Sequence, residues 1–535
     1  MFTITEGNFK TGEYGNQPYL SNWPMLYILE NGKQAYVGQS NHVKTRMGEH
    51  LSNAQKRIFD KVHFIYSKKF NQSVTFDYEA KLIQYLVADE LFEVTNGNGG
   101  MADKDYFNRA TYDEEFLALW RKLQREKLAK HSIEEIENSD LFKYSPFKEL
   151  NDDQRKAVDD ILDSIIPDNE TKEISPQTIV VNGMPGSGKT IVAIYILKYL
   201  RDLEEFKDKT IGFVVPQTSL RKTMKKIFKS IYNLSPADIL GPSDVTKKKY
   251  DILLVDEAHR LHQFKAIGFM GTFKKSCEKL GLTTESDELD WALLQSTCTI
   301  VFYDKEQVVG PSGINEDRFK KKIKSLDTVE QRLLSYHELM TQMRVKAGNG
   351  YIDFIKEILS GKATVKRTFE QYTIKVMNDF AAFDRLHYEL EDKYGLTRMA
   401  AGYAWKWVSK EDKSQYDIVI QGVKKQWNYC TEGWVHSDGA IDQVGCIHST
   451  QGYDLNYAFV IMGNEIGYDP EKKEIVIYSQ NYYDQNGKKT ATQEELKEYI
   501  LHIYYVLMTR GIKGTYLYIC DDNLRRYISS VVETE

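Results

Sequence analysis

Eight consecutive residues, Gly183-Met184-Pro185-Gly186-Ser187-Gly188-Lys189-Thr190, spell GxxxxGKS/T. At that spacing glycines let backbone N–H groups curl around a phosphate, the lysine reaches the β- and γ-phosphates, and the threonine hydroxyl holds Mg²⁺. The pattern arises by chance roughly 0.02 times in a chain of this length, so a plain glycine-rich turn is set aside. Farther on, the apolar run Asp251 to Val255 ends in Asp256-Glu257-Ala258-His259. An acidic pair at a strand's carboxyl end lies where a doubly wound sheet takes its ligand. Asp256 suits the Mg²⁺ shell, and Glu257 suits orienting or deprotonating the attacking water. Together the two motifs imply a lobe that hydrolyses ATP.

A second constellation lies upstream. Met25-Leu26-Tyr27 and Tyr36-Val37-Gly38 sit on either side of Asn31-Gly32, and Arg46, His50, Glu79 and Asn96 follow in order. Over about residues 22–100 this series resembles the GIY-YIG endonuclease domain, with Met25 and Leu26 where the name motif has glycine and isoleucine. The resemblance implies phosphodiester cleavage. Glu79 would hold one divalent ion, Mg²⁺ or Mn²⁺, through oxygen. Arg46 would brace the scissile phosphate in a fork that lysine cannot copy. Tyr27 or Tyr36 would position or deprotonate the water, with His50 as a competing base. A phenol with a pKa of about 10 is a poor base, so a neighbouring cation must help it. Asn96 is expected to fix the loop beside the site.

From about residue 145 to 535 the chain resembles superfamily 1 helicases. On that resemblance Gln154, in Leu150-Asn151-Asp152-Asp153-Gln154, reads adenine. Gln307, in Asp304-Lys305-Glu306-Gln307, senses the γ-phosphate. Gln342-Met343-Arg344, His448-Ser449-Thr450-Gln451-Gly452 and Met508-Thr509-Arg510-Gly511 match later motifs, making Arg344 and Arg510 candidate arginine fingers. The Asp-Glu-Ala-His spelling points to superfamily 2, but the sequence has no QRxGRxGR-like segment, and Thr509-Arg510-Gly511 favours superfamily 1. The run Met399 to Trp407 is similar to a segment of a Schlafen-like branch.

The elements that must position these residues are legible in outline. Asn-Gly between two alternating runs predicts a hairpin over Met25 to Gly38, followed by helices over about 43–59 and 77–90. Residues ahead of the hairpin read as loop, and 112–136 as a linking helix. Apolar runs at 178–181, 211–215, 252–255 and 299–303 alternate with helical patterns, and the alternation resumes at 372–376, 417–420, 444–447, 458–462 and 516–519. This predicts an α/β fold: a small mixed α+β domain and two RecA-like parallel lobes. The expected boundaries are 1–105, a helical linker 106–145, 146–335 and 336–535. Residues 260–297 and 464–500 read as insertions.

The chain has 535 residues, too many for one core. Its net charge of -6 and mean hydropathy of -0.50 exclude a bulk polyanion coat but leave room for a narrow basic track. Pro216-Gln217-Thr218-Ser219 falls where superfamily 1 enzymes touch nucleic acid. Arg221, Lys222, Lys225, Lys226 and Lys229, and the cluster Lys320, Lys321, Lys322 and Lys324, read either as solvated faces or as phosphate contacts. Tyr403, Trp405 and Trp407 are expected to pack rather than stack on bases. Five scattered cysteines, no secretory pattern and no apolar span point to a cytoplasmic chain without a membrane segment.

The expectation is an ATP-driven nuclease acting on nucleic acid, DNA ahead of RNA, with room for an oligomer or a regulatory partner. The alternative is an ATP-sensing switch that gates the nuclease without unwinding. Resemblance to prokaryotic nuclease–helicase fusions suggests repair, restriction or anti-phage defence.

Overall fold

A computed structural model describes residues 2–14, 22–97, 99, 106–166, 173–329 (backbone only at 327–329), 332–430 and 433–535. By internal contacts the chain divides into two units. The first holds 1–155 with 191–208 and 224–238, and the second holds the remainder.

In the first unit, β2 (Met25–Glu30) and β3 (Gln34–Ser40) form the expected antiparallel hairpin, with Gly32 turning at φ +80°. They join β1 (Thr3–Asn8), β4 (Lys61–Tyr66) and β5 (Glu93–Val94) in the order β1-β4-β2-β3-β5. The helix Gln72–Asp89 buries Val74, Tyr78, Leu82, Ile83 and Leu86. Three expectations need correction. Residues 3–8 are a strand, because pairing with β4 in register from Thr3↔Tyr66 satisfies backbone groups that composition alone left as loop. The first helix is Val43–Ser52, and Asn53 in extended geometry ends it well before 59. The linking helix runs Arg109–Arg125 and stops; Lys127 takes φ +60°, and a separate helix, Ile133–Asn138, starts from a Ser132–Glu135 capping box.

The second unit carries two larger sheets. In the first, β6 (Gln177–Gly183), β7 (Ile211–Val214), β8 (Ile239–Leu240), β9 (Tyr250–Val255), β10 (Ser296–Tyr303) and β11 (Leu333–Leu339) run parallel in the order β11-β6-β10-β9-β7-β8. The near-continuous burial of β6, β9 and β10 explains their unbroken Val/Ile/Leu runs. Because β10 lies between β6 and β9, the carboxyl ends of all three meet, and the phosphate loop, Asp256 and Asp304 leave from one edge of the sheet.

The other large sheet has the order β14-β15-β16-β13-β17-β20-β12-β21. Its strands are β12 (Thr373–Val376), β13 (Thr397–Ala401), β14 (Ile418–Ile420), β15 (Val423–Trp427), β16 (Gln443–Gly445), β17 (Leu455–Met462), β20 (Gly511–Ile519) and β21 (Glu533–Thr534). A separate hairpin pairs β18 (Ile466–Asp469) with β19 (Glu474–Ile477). Two further corrections arise here. Ile447 opens a short helix, Ile447–Thr450, rather than ending a strand. Residues 493–500 are no insertion: the helix Gln493–Met508 starts at the Thr492–Glu495 capping box and packs Leu496, Ile500 and Ile503 into the main core. Among the described residues no helix is long and apolar enough to cross a membrane.

Candidate functional site

On the N-terminal hairpin, register sets Tyr27 opposite Gly38 and Leu29 opposite Tyr36. A side chain at Gly38 would collide with the Tyr27 ring, which is why glycine follows Tyr36-Val37. Helix Val43–Ser52 turns Val43, Met47 and His50 inward. His50 Nε2 and Tyr27 Oη share a 2.7 Å hydrogen bond, and the His50 ring lies edge-on to Tyr36 at 5.4 Å. Burial, then Arg46 and Lys56, pull His50 down to about 4, so it is neutral near pH 7. Burial raises both phenols, while Arg46 opposes the rise at each hydroxyl. Arg46 itself pairs with Glu49 at 2.6 Å.

Burial lifts Glu79 to about 7, against a Gln39 backbone hydrogen bond and the Arg46 charge that favour its anion. Tyr27, Tyr36, Arg46, His50 and Glu79 therefore come together. Asn96 does not join the reacting groups: it accepts from Val37 N at 3.0 Å and donates to Val37 O at 2.9 Å, clamping β3 beside Tyr36. Among the described residues no group of three or more His, Cys, Asp or Glu could hold an ion. The chemistry at Glu79 is that of a lone hard carboxylate, and it fits a hydrated Mg²⁺ or Mn²⁺ completed by water and substrate phosphate.

Sequence reasoning missed Lys56. Its Nζ stands 3.2 Å from the centre of the Tyr36 ring. Burial first, then Arg46, lowers it to about 8. It follows the helix end by a turn with no recognisable spacing, so only its being the nearest lysine after His50 could have drawn notice.

In the second unit Gly186 and Gly188 both take φ +82°, curling the phosphate loop ahead of the helix Lys189–Asp202. Gly183 has Ser187 Oγ packed where a side chain would be. Thr190 Oγ1 donates to Asp256 Oδ2 at 2.8 Å, while buried Asp256 Oδ1 has no hydrogen-bond partner. A hydroxyl beside a carboxylate with an unused oxygen fits a hard Mg²⁺ ion. Burial and the neighbouring Glu257 charge raise Asp256. Burial pushes Glu257 up too, but His259, whose Nε2 is 2.8 Å away, Arg260 and Lys189 outweigh it and hold Glu257 ionised.

Lys189 Nζ donates to Asp304 Oδ2 at 3.0 Å, and Gln307 Nε2 donates to the same oxygen at 2.8 Å. Gln307 Oε1 accepts from Gln451 at 3.1 Å and from Arg510 at 3.2 Å, and Arg260 bonds the Gln451 carbonyl. One buried chain thus joins the loop lysine to both late motifs. Gln451 carries no assigned role in the sequence reading; it lies inside the His448–Gly452 motif. Arg344 pairs with Asp454, and Gln342 reaches Pro185 O of the phosphate loop at 2.7 Å. Gln154 sits in the first unit, where it and Asn151 cap the helix Asp152–Ile165 reciprocally at 2.8 and 3.0 Å.

A cleft of about 570 Å³ opens between the two large sheets, lined by Gln217, Arg260, Trp405, Trp407, Trp427 and His448, among others. Gln217 Nε2 donates to His448 O at 2.8 Å. Trp405 and Trp407 are half-buried and face this cleft as well as packing. Tyr403 packs against Trp427 and Tyr482. Arg221 is spent on Val215 O and Pro216 O, Lys320 on Glu316, and Lys322 on Asp287 and Asp290. Arg221 and Lys322 therefore serve the fold, while Lys320 stays exposed in a helix-surface pair.

A hairpin-and-helix nuclease constellation joined to a nucleotide-binding parallel lobe defines a fusion of a GIY-YIG domain with a helicase-like domain. The Schlafen group 3 DNA/RNA helicase domain matches residues 176–521, and the chain belongs to that family. The GIY-YIG catalytic domain matches residues 24–88. The Saccharomyces cerevisiae chain described as "Uncharacterized protein YPL245W" is 25% identical over 391 residues, 65% of this chain and 83% of its own. Pif1 helicase from Candida albicans is 10% identical with a TM-score of 0.29, covering 72% of this chain and 97% of that one. Bacteroides Pif1 bound to ssDNA is 12% identical with a TM-score of 0.26, covering 69% and 92%. At scores this low these two likenesses carry no argument.

Proposed function

We propose that the chain is an ATP-dependent nucleic-acid enzyme in which a superfamily 1 motor acts with a metal-dependent GIY-YIG endonuclease, on DNA ahead of RNA. The observation that carries the reading is the buried chain from Lys189 through Asp304 and Gln307 to Gln451 and Arg510, in a polypeptide that also carries the clustered Tyr27, Tyr36, Arg46, His50 and Glu79. At the ATPase, Thr190 and Asp256 would hold Mg²⁺, which screens phosphate charge. Glu257, kept ionised, takes the water's proton. Gln307 sits where it can report the γ-phosphate, and Arg510 and Arg344 are the fingers. Gln154 remains the candidate adenine reader.

At the nuclease, Glu79 would hold Mg²⁺ or Mn²⁺, which gathers charge on the scissile phosphate. Arg46 braces the phosphate, Tyr36 or Tyr27 aligns the water, and neutral His50 holds Tyr27. Domain limits of 1–105, 106–145, 146–335 and 336–535 accompany this proposal. The third limit moves to after Leu339, since β11 pairs with β6 along its whole length. Repair, restriction or anti-phage defence in the cytoplasm is the proposed setting.

A switch that gates the nuclease without unwinding is the second reading. The buried Lys189–Asp304 pair favours it, as a contact that a triphosphate would break. Cleavage of labelled single-stranded, duplex and forked DNA, with and without ATP and Mg²⁺, tests both. Cutting stimulated by hydrolysable ATP supports the motor, and cutting suppressed by ATP supports the switch. No cutting under any condition rejects both.

A further inference from the structure

Between β13 and β16 the chain makes an excursion that the ATPase and nuclease sites leave unexplained. Its β14–β15 hairpin turns through Gln421 and Gly422, at φ +48° and +84°, and β14 is an edge strand of the sheet. Register puts Val419 opposite Lys424 on one face and Ile418 opposite Lys425 on the other. The second face is internal: Ile418 is buried, and Lys425 pairs with Asp384 at 2.7 Å. The first is solvent-facing, with Val419 56% exposed.

Along this excursion lysines stand over aromatic rings. Lys413 Nζ is 3.9 Å from the Tyr429 ring, Lys410 is 5.3 Å from Trp407, Lys424 is 5.9 Å from Tyr416 and Lys406 is 6.0 Å from Tyr483. Tyr416 and Tyr429 are 50% and 39% exposed, and it is their pairing with lysines on one excursion that sets them apart from the other exposed rings. Among the described residues no ion pair joins these lysines to a carboxylate. Among the described local acids Asp417 is engaged by Ser409 N and Trp427 N and Asp412 by Ser414 and Gln415, while Glu411 and Asp412 are both exposed. Trp407, Lys410 and Tyr483 also line the 570 Å³ cleft, so the surface continues it.

We propose that residues 406–429 form a second nucleic-acid contact, a lysine–aromatic platform that takes up single-stranded nucleic acid where it leaves the cleft. Rings that stack on bases beside cations that meet phosphates are what a sequence-tolerant single-strand surface requires. A protein strand added to the β14 edge would use backbone groups and apolar pockets instead and would not call on these exposed lysines, of which Lys413 also donates to Tyr429 O at 3.1 Å.

The inference rests on the proposed nucleic-acid role of the cleft, and two oligonucleotide lengths separate the two failures. Full-length protein is titrated with labelled oligothymidylates of roughly 8 nucleotides, enough for the cleft, and roughly 25 nucleotides. The variants are Tyr416→Ala with Tyr429→Ala, and Lys413→Ala with Lys424→Ala, all outside the cleft. Each pair is expected to weaken the long oligonucleotide about tenfold and leave the short one unchanged. The lysine pair should also flatten the salt dependence of long-oligonucleotide binding by about 1.4 log units per log unit of salt. Long-oligonucleotide affinity equal to that of the parent overturns the platform, as does an equal loss on both lengths. Variants that only dissociate a self-associated form in sedimentation, with oligonucleotide affinity intact, overturn it in favour of a copy-to-copy edge. Failure of the unaltered protein to bind either length overturns the cleft reading itself.

Discussion

Lys56 Nζ stands 3.2 Å above the centre of the Tyr36 ring, in a pocket that Arg46 already makes positive. A phenol needs a nearby cation to act on water at neutral pH, and the proposed role of this ammonium is to add to Arg46, which alone opposes the rise that burial and Glu79 impose on Tyr36. Lys56→Met is expected to lower cleavage about tenfold or more at pH 7, while Lys56→Arg retains most of it. Equal losses in both variants would show that Lys56 only fills space.

The same lysine makes a stability prediction with a definite sign. Its folded pKa lies near 8 against an ordinary 10.5, so between those values the unfolded chain holds more protons and stability rises with pH. Lys56→Met lacks that term. The difference in Tm, wild type minus variant, should therefore increase from pH 8 to 10.5 and stay flat below. Thermal scans at a series of pH values measure it.

Glu79→Ala should abolish cleavage and leave ATP turnover close to wild type. Glu257→Gln should do the reverse to turnover, lowering it about a hundredfold or more. Paired gel and phosphate-release assays read both, and loss of both activities in a folded Glu79→Ala protein would sink the proposed division of labour. Lys189→Ala then separates the two readings of ATP: a motor-driven nuclease loses processive cutting, and a nuclease held off by ATP is released.

Gln451 is bonded on both sides, to Gln307 and to Arg260. Gln451→Ala should lower ATP turnover about tenfold with nucleotide affinity retained, because it disturbs the γ-phosphate sensor and not the phosphate loop. Weakened nucleotide binding, measured by calorimetry, would instead make Gln451 part of the binding site.

Asn96→Ala removes both hydrogen bonds to the buried Val37 peptide. About 2 kcal/mol of local stability should be lost, read as faster amide exchange along residues 34–40. Cleavage should fall with it, since Tyr36 is carried by the same strand.

The phosphate loop, the acidic pair and the hairpin were legible because each is contiguous or nearly so. Backbone N–H groups of one loop build a phosphate cradle whatever lies around it, and Asn-Gly between alternating runs closes a hairpin locally. The edge strands Thr3–Asn8 and Leu333–Leu339 were not legible, since short strands take their identity from the neighbour that pairs with them. The helix expected to reach 59 stopped at Ser52, and the one expected to end by 136 broke at 125, where local capping overrode helical spacing.

Sequence alone determined the classes of domain, a nucleotide-binding helicase-like body and a GIY-YIG nuclease domain, because side-chain type and short spacing define them. Tertiary structure alone decided which of these side chains meet. It brought Gln307, Gln451 and Arg510 to one buried chain, set Lys56 over Tyr36, and turned Asn96 into a clamp. It also drew Lys322 into ion pairs with Asp287 and Asp290. Hydrogen bonds and charges act over a few ångströms, and residues far apart in the chain reach that range only after the sheets have formed.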